Sequence, residues 1–190
     1  MTEKEYPTLG CCGLDCGLCP RYYTKGLSRC IGCCGKDFFK VNPGCGFTTC
    51  CFKKNNLVVC AECTDYPCKR FDNWFGDKAY DSWLTHRKAE ANLKFIKEKG
   101  LEEFIRRQQI RIKQLEKMLK NYNEGRSKSL FCLSVTLLSI KGIEKSIQNA
   151  NDKSKGLDLK SKAKILKEEL NKTADKEKVK LKLNKPPNWK

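Results

Sequence analysis

Apolar residues follow two different patterns along the 190-residue chain. From about residue 72 onward they recur at spacings of three and four, which places them on one face of an α-helix. The most continuous apolar run, residues 130–140, leaves almost no polar face and indicates the central helix of a bundle. The repeat predicts four helices, over residues 72–99, 101–122, 127–149 and 159–170.

The first 75 residues lack this repeat. They contain eight glycines and few large aliphatic side chains, so they cannot assemble much apolar core. Near the end of the chain, residues 179–183 alternate with period two, which predicts a short terminal strand or an extended tail. The predicted fold class is α plus irregular: a small cysteine-rich metal-binding segment followed by a three- to four-helix bundle. We expect three regions, a cysteine-rich segment over 1–75, the bundle over 76–150, and a Lys-rich helix and tail over 151–190.

Hydropathy and charge narrow the expected location and partners. No apolar stretch approaches the 18 residues of a membrane span. Residues 1–10 lack the apolar core of a signal peptide, so we expect a cytoplasmic protein with no membrane partner. The formal net charge of +17 makes nucleic acid an alternative partner, and the alternative function is a nucleic-acid-binding module in which zinc knuckles present a basic helical face. Abundant lysine on its own is weak support for that alternative.

The cysteines carry the main chemical signal. Thirteen of the 14 fall between residues 11 and 68. The cytosol keeps thiols reduced, so this density favours metal ligation over disulfides. Metal binding also supplies folding free energy, about 10–16 kcal/mol for a structural zinc in a small peptide. Metal ions are therefore the first predicted partner.

Groups of closely spaced cysteines define the predicted ligands. Two thiolates in a C-x-x-C knuckle can bind one metal, and four-thiolate sites are usually built from two such pairs. The predicted ligands are Cys12, Cys16, Cys19, Cys30, Cys33, Cys60, Cys63 and Cys68, with Cys45 and Cys50 replacing two of them or completing a third site.

The type of metal stays open at this point. Zinc commonly takes four-thiolate sites, whereas the C-x3-C-x2-C triplet of Cys12, Cys16 and Cys19 favours a [4Fe–4S] cluster. The predicted cofactor is thus a [4Fe–4S] cluster or Zn²⁺, in a structural or electron-transfer role. Electron transfer would add a redox partner protein.

Five further residues have other predicted roles. Cys11, Cys34 and Cys51 each adjoin another cysteine, and because neighbouring side chains usually diverge, we interpret them as spare or packing residues. Cys132 lies in the apolar third helix and is interpreted as a small buried hydrophobe. The single histidine, His86, is interpreted as a solvated or capping residue. With no Ser-His-Asp, P-loop or GxGxxG pattern, an enzyme is the less favoured interpretation.

Two stretches resemble a known family. The first is Cys12-Gly-Leu-Asp-Cys16-x2-Cys19-Pro with Cys30-x-Gly-Cys33 and Cys60-x-Glu-Cys63-x3-Pro67-Cys68; the second is Asn123-Glu-Gly-Arg126-Ser-Lys128-Ser-Leu-Phe-Cys132. Over about residues 9–150 they resemble the cysteine-rich family called "domain of unknown function 3795". The second stretch has Glu124 where that family usually has Asp. The resemblance implies a cysteine-rich metal-binding domain joined to helices, and no particular activity.

The second stretch also contains two predicted cofactor-binding cations. Arg126 and Lys128 follow Gly125 at the start of the most apolar helix. A helix N-terminus adds positive potential to their charges, so together they would stabilise an anionic metal site. We predict that both face the metal segment or bind a phosphate or carboxylate.

Overall fold

The computed structural model describes residues 3–41, 44–72, 74–75 and 79–186 of the chain. Within these ranges the secondary structure is helical, without strands. The first half has 3-10 turns at Cys16–Leu18, Cys60–Glu62 and Lys69–Phe71, a π-helix at Thr48–Lys54 and the short helix α1, Phe38–Val41. The longer helices are α2, Ala89–Lys99; α3, Leu101–Tyr122; α4, Lys128–Leu137; α5, Ile140–Lys153; and α6, Leu159–Lys176.

The chain divides into two compact units. The first comprises Met1–Gln108 with Leu183–Lys190, and the second comprises Gln109–Lys182. The predicted class, a cysteine-rich N-terminal region followed by helices, is confirmed in this coarse form. No helix in the described ranges is both long and apolar enough to cross a bilayer.

The first unit has an apolar core made largely of aromatic rings and cysteines. Phe47 and Phe71 pack with ring centroids 4.8 Å apart, and Phe52 and Val59 are buried beside them. The helix α2 packs against the 3-10 turn at Cys60–Glu62. Its buried Leu93 and Ile96 join the same core. The cysteine-rich segment thus obtains from a neighbouring helix the aliphatic side chains that it lacks.

The predicted helix over 72–99 is shorter than expected. Of the residues in this range that the structure describes, those of Ala89–Lys99 form the helix, and residues 79–88 form an irregular segment. Its buried Asp81 carboxylate accepts hydrogen bonds from Thr85 Oγ1, 3.2 Å, from the His86 backbone, 2.7 Å, and from the Asn184 backbone, 2.8 Å. The apolar residues Trp74, Phe75, Ala79 and Trp83, whose spacing predicted a helix, therefore lie in irregular structure.

The second unit packs α4, α5 and α6 together. As predicted for the most apolar segment, α4 is buried nearly all round, from Phe131 to Leu137. The predicted single helix over 127–149 is instead two helices that meet at Leu138 and Ser139. Ser139 caps α5 by accepting a hydrogen bond from the Gly142 backbone at 3.0 Å. Its backbone N–H and hydroxyl donate to the Glu177 carboxylate.

The terminal segment is an extended tail rather than a strand. Residues 179–186 have no regular structure. In the first unit, Asn184 Nδ2 donates to the Ala79 carbonyl at 2.9 Å, and Lys185 Nζ donates to the Ser82 carbonyl. Of the two predicted alternatives for 179–183, the extended tail is the one observed.

Candidate metal centre

Three thiols in the first unit converge on one point. The Sγ atoms of Cys11, Cys33 and Cys34 all lie within 4.8 Å of one another, and no other set of three potential ligands does so in the part of the chain that the structure describes. Cys33 Sγ lies 3.9 Å from Cys11 Sγ and 3.8 Å from Cys34 Sγ. A disulfide would bring two sulfurs to about 2.05 Å. These are separate thiols, and we call the three residues the buried centre.

The chain segment before the first cysteine holds the buried centre in place. The Lys4 backbone N–H donates to the Cys34 carbonyl and the Cys33 N–H donates to the Pro7 carbonyl, both at 2.8 Å. We call this segment, residues 4–9, the strap. Gly32, with φ of +89°, lets the strap approach closely, because a Cβ at Gly32 would lie 2.3 Å from the Pro7 carbonyl oxygen. Cys34 itself has φ of +57°. This left-handed conformation is uncommon for a residue other than glycine.

Two more cysteines extend the centre along one side. Cys51 interacts through its side chain with both Cys11 and Cys60. Its thiol also donates to the Leu57 carbonyl at 3.4 Å. The Cys60 backbone N–H donates to the Cys11 carbonyl at 2.9 Å. This bond connects the Cys60–Cys63 knuckle to the adjacent cysteines Cys11 and Cys12. The described structure thus gives the three-thiol centre neighbours that can supply a fourth ligand.

A buried lysine lies beside these thiols. Lys4 is only 2% exposed, and its ammonium donates a hydrogen bond to the Leu9 carbonyl. Its charge favours the thiolate form of the surrounding cysteines, Cys11, Cys16, Cys33 and Cys51. Burying a cation is costly unless negative charge accompanies it. A metal–thiolate site would provide that negative charge.

The proton distribution within the buried centre is uneven. Contact with Cys33, and then with Cys34, lowers the pKa of Cys11. The same contact raises the pKa of Cys33 to about 11. In this contact the Cys33 thiol therefore donates and the Cys11 sulfur accepts. A metal ion would displace the remaining protons, because only deprotonated thiols are ligands.

The cysteines of the N-terminal triplet lie around the buried centre. Burial raises the pKa of Cys12, Cys16 and Cys19, whereas backbone N–H groups act in the opposite direction on the pKa of Cys12 and Cys19. At Cys19 the backbone N–H groups are those of Arg21 and Tyr22, and the Tyr22 N–H also donates to the Cys19 carbonyl at 2.9 Å. This arrangement resembles a metal knuckle, in which backbone N–H groups point at sulfur. Charge interactions link Cys16 with Cys33, Cys19 with Cys30, and Cys12 with Cys45.

The other predicted ligands lie in a different part of the first unit. Cys50, Cys63 and Cys68 line one open groove with a volume of about 740 Å³. All three are half-buried, and exposed charged residues surround them. We call this place the thiol groove.

Two members of the buried centre lie outside the predicted ligand set. The sequence indicates Cys11 and Cys34 as spare or packing residues, because neighbouring side chains usually diverge. Both are 0% exposed, and the left-handed backbone at Cys34 brings its sulfur beside that of Cys33. The signal that was available in the sequence is Gly32, which permits the tight approach of the strap. Cys33 is the one predicted ligand within the buried centre, and the predicted ligand set as a whole stays a prediction.

The remaining candidates are distributed over both units. Arg126 is exposed and Lys128 is half-buried, both within the second unit, and their role stays a prediction. Cys132 is 1% exposed among the apolar side chains of α4, as expected of a small hydrophobe. His86 is 8% exposed rather than solvated, and its ring packs on Trp74 with centroids 4.2 Å apart.

No protein family, curated protein or solved structure matches the chain. The resemblance to the domain of unknown function 3795 family therefore rests on the motif residues. In the second of those stretches, Glu124 has a structural role. Its carboxylate accepts hydrogen bonds from Ser127 Oγ and, at 2.9 Å, from Lys167 Nζ, which fastens the α3–α4 turn to α6.

Proposed function

We propose that the chain is a cytoplasmic metal-binding protein in which thiolates hold a metal that organises the first unit. The observation that carries the proposal is the convergence of Cys11, Cys33 and Cys34. The buried ammonium of Lys4 beside them supports it, since it matches an anionic site. The high density of reduced thiols supports the cytoplasmic location.

The sulfur separations favour a single ion at the buried centre. Tetrahedral zinc with Zn–S bonds of about 2.3 Å places its sulfur ligands about 3.8 Å apart. The two measured separations are 3.9 and 3.8 Å. In a [4Fe–4S] cluster each thiolate binds a different iron, so the sulfurs lie farther apart. We therefore propose Zn²⁺ in a structural role, with the iron–sulfur cluster in an electron-transfer role as the alternative.

Metal analysis of the anaerobically purified chain tests the proposal. We expect bound zinc and a colourless protein. Iron with sulfide, and a brown colour, would instead support the iron–sulfur cluster. Cys33→Ser should remove at least one metal equivalent per chain. Cys132→Ala is the matched control, a buried cysteine in the other unit, and should keep the full metal content. Purified protein without stoichiometric metal, which also takes up none after anaerobic reconstitution, would contradict the proposal.

A further inference from the structure

The loop between Cys19 and Cys30 carries positive charge at the surface of the first unit. Its residues include three cations, Arg21, Lys25 and Arg29, and no acidic residue. Lys25 and Arg29 are exposed and Arg21 is half-buried. In the part of the chain that the structure describes, none of the three forms an ion pair. The loop therefore presents a net charge of +3.

Aromatic rings lie against two of these cations. The guanidinium carbon of Arg21 is 5.6 Å from the centroid of the Trp83 ring. That of Arg29 is 5.6 Å from the centroid of the Tyr22 ring, and Arg29 Nε donates to the Tyr22 carbonyl at 3.3 Å. Arg21 Nη2 donates to the Ser28 carbonyl at 3.2 Å, which connects the two pairs through the loop. We call Arg21, Tyr22, Lys25, Arg29 and Trp83 the cation–aromatic patch.

Trp83 presents more than half of its side chain to solvent. It is 57% exposed, although tryptophan is a residue that is highly buried on average. A cation over an aromatic ring covers one face of the ring. The open part of the indole can therefore stack on another planar group. The acid of the same segment, Asp81, is 2% exposed, and its carboxylate is directed into the hydrogen bonds described above.

We infer that the cation–aromatic patch binds single-stranded nucleic acid, with an unpaired base stacked on Trp83 and the flanking phosphates bound by the three cations of the loop. Proteins that bind single strands combine cations along the backbone with aromatic rings on which bases stack. A duplex is a poorer partner, because its paired bases have no free face for the indole. The formal net charge of +17 also favours the approach of a polyanion. The inference goes beyond the proposed metal function and holds for zinc and for iron–sulfur alike.

Fluorescence anisotropy with labelled oligothymidylate and oligouridylate, each of about 4–16 nucleotides, measures this binding on the full chain as purified. We expect a Kd on the order of 1 µM at low ionic strength. A duplex of the same length should bind more weakly. Binding of either single strand supports the inference, and a preference for one of them shows whether the 2′-hydroxyl is recognised.

Substitutions in the patch separate stacking from charge. Trp83→Ala should weaken binding about 10-fold, the loss expected for one stacked base, and Trp83→Phe should restore most of it because a phenyl ring still stacks. Lys25→Ala and Arg29→Ala should each reduce the dependence of log affinity on log salt concentration by about 0.7, the value for one single-strand phosphate contact.

The matched control is Arg107→Ala. Arg107 is exposed and its guanidinium carbon lies 4.7 Å from the centroid of the Phe95 ring, so this variant removes the same kind of cation–aromatic pair outside the patch. It should bind both oligonucleotides as the wild-type protein does. An unchanged metal content shows that each variant is folded. If Trp83→Ala does not fold, the salt dependence of Lys25→Ala and Arg29→Ala decides.

Three results would overturn the inference while the proposed metal function stands. The first is that neither single strand binds at low ionic strength. The second is that Arg107→Ala weakens binding as much as Arg29→Ala and the duplex binds as tightly as the single strands, which indicates general charge attraction. The third is that vesicles containing anionic lipid bind in place of both oligonucleotides and Trp83→Ala abolishes that binding, which assigns the patch to a membrane surface.

Discussion

Lys4 is the residue whose position is hardest to explain without a metal. Its side chain is 2% exposed, and its ammonium donates to one carbonyl, that of Leu9. A lysine has no intrinsic reason to enter a core, because transfer of an ammonium from water to an apolar interior is strongly unfavourable. Thiolates of a metal site can offset this cost. Lys4 and the buried centre thus depend on each other electrostatically.

Replacing Lys4 by methionine tests this dependence. Lys4→Met keeps most of the side-chain volume and removes the charge, so the metal–thiolate site loses its buried counterion. We expect the affinity for Zn²⁺ to fall about 10–100-fold, the usual effect of losing a group that supports metal ligands. Competition titration with a chelator of known affinity measures the change.

The control for this prediction is Lys36→Met. Lys36 is exposed and lies two residues after Cys34. It therefore carries the same charge as Lys4 close to the buried centre in sequence, but that charge is solvated. Solvent screening should keep its effect on affinity small. Equal affinities in Lys4→Met and the wild-type protein would show that Lys4 is a packing residue.

At the residue scale, the sequence indicates the chemistry of the candidate site more directly than its backbone geometry. The number and spacing of cysteines indicate metal whatever the fold, and Cys33 lies in the candidate centre. Cys34 was set aside on the rule that adjacent side chains diverge, which holds for extended and helical backbone. At φ of +57° the rule does not apply. No local sequence signal specifies this conformation for a cysteine.

At the scale of helices, the apolar repeat predicts those helices that bury one apolar face against a core. The predicted range 101–122 is that of α3, Leu101–Tyr122. Periodicity could not locate the α4–α5 boundary, because the apolar run continues through it and the break depends on the Ser139 cap and its contacts with Glu177. It also could not show that residues 79–88 are irregular, since Asp81 is held by Asn184, 103 residues away.

One buried carboxylate links α5 to α6, in addition to the buried apolar residues of both helices. Glu169 on α6 is 5% exposed and accepts hydrogen bonds from Asn149 at 2.9 Å and Lys153 at 2.8 Å on α5, and from Lys172 at 2.8 Å. Bonds from Lys153 first, then Lys172 and Asn149, lower the pKa of Glu169 to about 2. The ionised form is therefore the one that holds the two helices together.

Glu169→Gln should destabilise the second unit in a pH-dependent way. The folded-state pKa is below the ordinary value of 4.5, so ionised Glu169 adds stability above about pH 4.5, and this stability is lost as the pH falls toward 2. Near pH 7 we expect the variant to lose about 1–2 kcal/mol of unfolding free energy, a value that allows for screening. Urea unfolding followed by circular dichroism at several pH values measures the difference.

The neighbouring residue provides the control. Glu168 is exposed, so Glu168→Gln removes the same charge one position away and should change the unfolding free energy little at any pH. If the deficit of Glu169→Gln were the same at pH 3 as at pH 7, its cause would be packing rather than the ionised carboxylate.

For the whole molecule, the two units obtain their stability from different sources. The second unit buries the apolar faces of α4, α5 and α6. The first unit has an aromatic core, but many of its buried side chains are cysteines, and a buried lysine lies among them. Burial raises the pKa of Cys12, Cys16 and Cys19, so these thiols hold their protons more firmly than free cysteine does. A metal bound by these thiols would have to displace those protons, and its binding free energy would then become folding free energy for this unit.

Removal of metal should therefore unfold the first unit selectively. After treatment with a chelator and a thiol reductant, we expect amide hydrogens over residues 4–68 to exchange with deuterium within seconds, while those of α4, α5 and α6 stay protected. The reductant prevents disulfides from replacing the metal as cross-links. The control is the same treatment followed by excess Zn²⁺, which should restore protection if the loss was due to the metal. Protection over residues 4–68 that is equal with and without metal would show that the aromatic core around Phe47 and Phe71 is sufficient, and that metal does not organise this unit.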